Sequence, residues 1–196
     1  MIADHFDALF DADADPWRTR TRWYEARKRA LTLAMLPAAR FGRAFEPGCG
    51  AGELTLALAE RCDALLATDA SAQAARRARE RVAGLAHVRV AQARLPRDWP
   101  AGSFDLVVVS ELGYYLSTPD LHEFVAALQR SLTADGTVVA CHWRHPADDL
   151  RQRAADVHGA LTAGLGDAMA HYEDADLLLD LWCRDTRSVA RREGLS

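Results

Sequence analysis

Residues 46–52 read Glu-Pro-Gly-Cys-Gly-Ala-Gly, three glycines set between a short apolar run and a helical pattern. Glycine reaches positive φ without steric cost, so this stretch lets a strand turn at once into a helix while a ligand lies against bare backbone. Few folds need such a turn, and a parallel α/β sheet is the main one. The flanking pattern agrees. Short apolar runs predict strands over 43–45, 64–69, 88–90, 104–109 and 137–141. Helical spacing predicts helices over 23–36 (stopped by Pro37), 53–61, 71–82 with Ser71 as cap, 119–132 and 149–165. Two last strands, 168–172 and 177–182, are linked through Asp174-Ala175 and read as an antiparallel hairpin. The run 104–109 is apolar on both faces, as a central parallel strand requires.

Composition narrows the function. The 196 residues are 49% hydrophobic and 27% charged, which suits one globular core. A formal net charge of -4 argues against a nucleic-acid partner. No apolar run approaches the roughly 20 residues of a membrane span. The N-terminal stretch carries aspartates where a secretory signal has its positive region. Cys49, Cys62, Cys141 and Cys183 form no CxxC or zinc spacing, so reduced thiols in a cytoplasm are expected.

The glycine spacing is G-x-G-x-G, whereas a dinucleotide pyrophosphate favours G-x-G-x-x-G. Glu46 stands two positions before the first glycine, where a carboxylate repels a pyrophosphate and suits a cationic ligand. Asp69 ends the second predicted strand, in the place from which an acidic residue accepts both ribose hydroxyls in nucleotide folds. Together these features point to an adenosine site. A nicotinamide-dependent enzyme is disfavoured by the same spacing.

These stretches resemble the class I S-adenosylmethionine-dependent methyltransferases. Residues 46–52 are similar to their first motif, Ala67-Thr68-Asp69 to the second, Phe104-Asp105-Leu106-Val107 to the strand-four motif and 132–137 to the turn into strand five. A narrower resemblance, to nodulation protein S and its relatives, rests on Asp15-Pro16-Trp17, Trp23-Tyr24-Glu25 with Lys28, and Ser110-Glu111 followed by Tyr114-Tyr115-Leu116. The resemblance implies a Rossmann-like seven-stranded, mostly parallel sheet in the order 3-2-1-4-5-7-6, the last strand antiparallel, with helices on both faces. It divides the chain into a helical cap (1–39), a core (40–185) and a tail (186–196).

The same resemblance implies cofactor contacts from Gly48, Gly50 and Gly52, with Glu46 at the amino group and Asp69 on the ribose. Trp17, Leu95 and Ser110 complete the expected contacts, and Lys28, in preference to Arg22 or Arg27, pairs with the cofactor carboxylate. Arg94 departs from the family, which commonly carries an acidic residue there to accept from adenine; arginine cannot accept that bond.

An amine nucleophile must be uncharged when it attacks, so a nearby base helps. Glu111 follows strand four, where open α/β sheets place ligands, and is the expected base, with His142 second and Tyr115 walling the site. His142 and His145 with Asp148 and Asp149 lack a metal-ligand pattern, and no metal is expected. The expected partner is a small molecule, an amino sugar by the narrower resemblance. Small-molecule O-methylation and a methyltransferase-like binding protein without catalysis stand as alternatives.

Overall fold

A computed structural model describes residues 2–195. Seven strands, β1 (Phe41–Pro47), β2 (Cys62–Asp69), β3 (Val88–Gln92), β4 (Phe104–Ser110), β5 (Leu132–Trp143), β6 (Ala170–Glu173) and β7 (Leu177–Cys183), form one sheet. Their order is β3-β2-β1-β4-β5-β7-β6. The ladders among β1 to β5 are parallel, and β7 runs antiparallel to both β5 and β6. The expected order and the antiparallel last strand are both present.

Side-chain parity divides the interior. Along β4, Val107 and Val109 enter one apolar cluster while Leu106 and Val108 enter another; on β5, Val138 and Ala140 oppose Val139 and Cys141. Successive residues of a strand point to opposite faces, so both faces of these strands must be covered. Helices α5 (Thr118–Ser131) and α6 (Ala154–Leu165) cover the first through Phe124, Leu128, Val157 and Leu161. Helices α2 (Trp23–Met35) and α3 (Glu53–Ala59) cover the second through Leu31, Leu33 and Leu58. Helix α4 (Ala72–Arg81) packs a stripe of Ala75 and Ala78 on Ala67 and Val90, and Ser71 caps it by accepting the Ala74 amide.

Helix α1 (Ile2–Ala12) is held by polar contacts to α4. The Asp7 carboxylate accepts from the Ser71 hydroxyl at 2.5 Å, and Arg77 donates to the Phe10 carbonyl at 2.7 Å. Phe10 fills the space between Ala51 and Ala74. A short helix α7 (Val189–Arg192) lies in the C-terminal tail.

Two boundaries move in ways that matter. Helix α6 begins at Ala154, later than the predicted 149, because the preceding residues are drawn toward the β4 end: the Arg151 and Gln152 amides both donate to the Tyr114 carbonyl. Strand β5 continues to Trp143, two residues past its predicted end, which carries His142 into the sheet.

Gly52 shows what close packing asks of the glycine loop. It takes φ +85°, and a Cβ there would lie 3.0 Å from the Ala78 Cα of α4. Gly52→Ala is therefore expected to destabilise the fold by about 1–3 kcal/mol. Urea unfolding is expected to show a lower midpoint with an unchanged slope.

Candidate active site

The sheet order reverses between β1 and β4, and in open α/β sheets ligands bind in the crevice at such a point. Here the carboxyl ends of β1 to β4 open onto a cavity of about 560 Å³. Glu46, Gly48, Gly50, Asp69, Arg94, Leu95, Ser110, Glu111, Tyr115, Lys28 and Trp17 all line it. A linear stretch of more than ninety residues is thus gathered around one space, and every one of these positions was expected at the site from sequence.

The β1 side is built to receive a cation. Glu46 is 2% exposed, and its Oε2 has no hydrogen-bond partner among the described residues. Burial, reinforced by the neighbouring charge of Asp69, pushes its carboxyl up to about 8. Gly50 takes φ +53°, and a Cβ there would meet only the Phe10 Cζ, 4.0 Å away, so the backbone faces open cavity. The Asp69 carboxylate is aligned by the Gly50 amide on one oxygen and the Ser71 amide on the other, each at 2.9 Å. An unpaired buried carboxylate, bare glycine backbone and a second, oriented carboxylate fit the ammonium, methionine chain and ribose of S-adenosylmethionine.

The β4 side is organised around Glu111. Its backbone sits at φ +57°, a left-handed conformation that costs a non-glycine residue energy. Three donors hold its carboxylate: the Tyr114 hydroxyl on Oε2, the Trp143 amide at 3.1 Å and Lys28 Nζ at 3.3 Å on Oε1. Lys28 is 7% exposed and also pairs with Glu25 at 3.0 Å. Its ammonium is thus enclosed by two carboxylates and lies 5.3 Å from the Tyr24 ring centroid. Arg27 is drawn away to Asp174, whereas Arg22 lines the cavity with no side-chain hydrogen bond or ion pair among the described residues.

Two expected site residues do not reach the cavity. Gly52 is spent on the contact with α4 and does not line the space. His142, expected at the rim as an alternative base, is fully buried on the α6 face of β5. Its Nε2 accepts from the Gly113 amide at 3.2 Å and its Nδ1 meets His158 at 3.0 Å, so both ring nitrogens are engaged inside the protein. Even-numbered positions of β5 face the α6 side, and the extra length of the strand makes 142 one of them.

Other wall residues come from parts of the chain that carry no motif. Phe6 and Phe10 of α1 line the cavity, and Phe6 meets Tyr115 edge-on at 4.8 Å. Their signal in the sequence is the helical spacing of Phe6, Leu9 and Phe10. Leu112, whose side chain lies 3.2 Å from the place of a Gly48 Cβ, joins the β1 and β4 ends of the wall.

Comparison with known proteins places these features in context. The nodulation protein S (NodS) family model matches residues 5–165. Nodulation protein S of Bradyrhizobium diazoefficiens is 34% identical over 152 residues, which span 76% of this chain and 70% of that protein. A Pseudomonas syringae protein solved as a candidate methyltransferase shares 50% identity at a TM-score of 0.74, over 83% of this chain and 99% of its own. N-methyltransferase NodS from Bradyrhizobium japonicum, solved with S-adenosylhomocysteine, shares 25% identity at a TM-score of 0.80, over 92% and 97% of the two chains.

Glu46 generates a pH dependence. With its carboxyl pushed up to about 8, it is mostly protonated at neutral pH in the free protein. A ligand ammonium against it favours the carboxylate, so binding below that value sheds a proton and affinity climbs as pH rises toward 8. Calorimetry of S-adenosylhomocysteine at pH 7, in buffers of differing ionisation heat, is expected to show close to one proton released per ligand. Glu46→Gln is expected to abolish that release.

Proposed function

The chain belongs to the nodulation protein S family of S-adenosylmethionine-dependent methyltransferases, and from that premise we propose that it methylates the nitrogen of a small amine, best fitted by an amino sugar. The observation that carries this reading is the Glu111 carboxylate, held in a left-handed backbone on the cavity wall by three donors. A carboxylate offers about four acceptor sites. Tyr114, Trp143 and Lys28 take three, and the last is left for an N–H from the cavity.

The charge around Lys28 supports the same reading. One ammonium between Glu25 and Glu111 leaves the group with net negative charge, which draws a protonated amine. Tyr24, Tyr115 and Trp143 line the same space. Their faces suit both an alkylammonium and the apolar side of a sugar ring. No group of three or more His, Cys, Asp or Glu side chains able to hold a metal ion occurs among the described residues, and the reading uses none.

S-adenosylmethionine, when bound, supplies a methyl group on a positively charged sulfur. Glu46 would hold its ammonium, Asp69 its ribose, and Gly48 and Gly50 would let its chain lie on the backbone. With Lys28 committed to two carboxylates, Arg22 is the cavity cation suited to its carboxylate. Arg94 and Leu95 line the cavity beyond β3, where the guanidinium plane would stack on adenine and the Leu95 backbone would accept from its amino group in place of an acidic residue. Glu111 receives the proton of the substrate amine, and the nitrogen lone pair is then aimed at the methyl carbon. Holding both partners in line contributes most of the acceleration, on the order of 7–11 kcal/mol for well-oriented reactants. Helices α1 and α2 and the segment between them, within residues 1–39, act as the cap that excludes water through Phe6, Phe10, Trp17 and Tyr24.

No helix among the described residues is long and apolar enough to cross a membrane. The four cysteines are free thiols, three of them buried, which supports a reducing cytoplasm as its location.

A thermal-shift titration separates the cofactor classes. S-adenosylhomocysteine at about 100 times its dissociation constant is expected to stabilise the protein by about 2.7 kcal/mol, with no shift from NAD. In a screen of glucosamine oligomers and simple amines, Glu111→Gln is expected to lower kcat by about a hundredfold or more. Its affinity for S-adenosylhomocysteine is expected to stay within a few fold. Unchanged turnover would remove Glu111 as the base.

A further inference from the structure

Behind the cavity wall, four titratable side chains form a hydrogen-bonded line from the surface to the turn that carries Tyr114 and Tyr115. His171 Nδ1 lies 2.7 Å from Asp180 Oδ1, Asp180 Oδ2 lies 2.6 Å from His158 Nδ1, and His158 Nε2 lies 3.0 Å from His142 Nδ1. The last link is the Gly113 amide, which donates to His142 Nε2 at 3.2 Å. Asp180, His158 and His142 are buried, and His171 is half-exposed.

The chemistry of the two ends sets the state of the middle. A backbone amide can only donate, so His142 Nε2 must carry a lone pair, and its proton sits on Nδ1. That proton is donated to His158 Nε2, which leaves the His158 proton on Nδ1, facing the Asp180 carboxylate. One arrangement of protons satisfies the buried links, with both His142 and His158 neutral. Burial, the adjacent His158 and the charge of Lys28 all hold His142 below its ordinary value, in the same sense.

What this line grips is the turn Gly113–Tyr115. A Cβ on Gly113 would lie 2.4 Å from the Val157 Cγ1 of α6, so the turn sits as close to α6 as a glycine permits. The Tyr114 ring meets His142 edge-on at 5.1 Å, and its hydroxyl donates to Glu111. Tyr115 lines the cavity beside it.

We propose that His142, oriented by His158 and Asp180, is a positioning residue for methyl transfer: it holds the Gly113 amide and so sets the Tyr114 hydroxyl that orients the Glu111 carboxylate. The inference rests on the assignment of Glu111 to the acceptor amine. It separates the two sides of the cavity, because the line reaches the β4 wall and has no contact with Glu46 or Asp69.

The test has a part that needs no acceptor and no substitution. In the 15N-histidine spectrum of the wild-type protein at pH 7, His142 and His158 are expected as neutral Nδ1–H tautomers. A scalar coupling is expected across the hydrogen bond from the Gly113 amide to His142 Nε2. An Nε2–H tautomer at His142, or no coupling, overturns the proposal, whether or not the protein methylates an amino sugar. The second part is kinetic, with a glucosamine tetramer as acceptor. In His142→Gln the side-chain oxygen takes the place of Nε2, whereas the shorter side chain of His142→Asn stops short of Gly113. The Asn variant is expected to lose about tenfold or more in kcat/KM, with affinity for S-adenosylhomocysteine within about threefold of wild type, and the Gln variant to recover most of the loss. Equal activity in both variants, or a parallel fall in S-adenosylhomocysteine affinity, overturns it. Methylation of the tetramer by the wild-type protein tests the amino-sugar reading separately.

Discussion

The parallel pairing of β1 with β4, Ala44 beside Leu106 and Phe45 beside Val107, is the constraint on which the rest of the molecule depends. On one side of this ladder the chain winds outward to β2 and β3, and on the other to β5, β7 and β6. Because right-handed connections carry the helices of the two halves to opposite faces, the strand ends at the reversal are left uncovered. Glu46, the penultimate residue of β1, and Glu111, directly after β4, stand at that gap. The two carboxylates therefore reach one cavity, although sixty-five positions separate them in the chain.

The two sides of the cavity treat charge differently. Glu46 is isolated, with one oxygen lacking any partner among the described residues, and its carboxyl is pushed up by burial. Such a group gains most from an incoming cation, which supplies the missing partner and restores the ionised form. Glu111 is the reverse: three donors already surround it, and a left-handed backbone is maintained to keep it there. Strain of this kind persists only where neighbours over-determine the conformation. The neighbours here are the Tyr114 hydroxyl, the Trp143 amide and the Lys28 ammonium, contributed by three different elements. An acceptor without a partner on one side and an oriented one with a single open position on the other suit a ligand that brings its own positive charge and a second that must be aimed.

Helix α1 combines polar and apolar contacts. Helix α1 is fastened to α4 by Asp7 on the Ser71 hydroxyl and by Arg77 on the Phe10 carbonyl, while its aromatic residues face the cavity. His5 reaches Asp149 on the opposite rim at 3.5 Å. Polar anchors on α4 and aromatic rings on the cavity wall fix the helix at the edge of that space.

Sequence alone determined the features that are local. The glycine spacing with Glu46 before it, the acidic end of β2 at Asp69 and the two-faced apolar strand at 104–109 each follow from a few adjacent residues, and with the order of elements they specify the sheet and one wall of the cavity. Only the tertiary structure decided the assignments that turn on parity or on distant partners. Two more residues in β5 put His142 inside the protein, because each residue added to a strand changes the face that is presented. Gly52 went to helix packing because α4 approaches it from across the fold. Lys28 met Glu25 and Glu111 because α2 packs against β5, the strand beside β4. Periodicity records how a segment is shaped; which charge it meets depends on contacts between segments far apart in the chain, and those distances exist only once the sheet has closed.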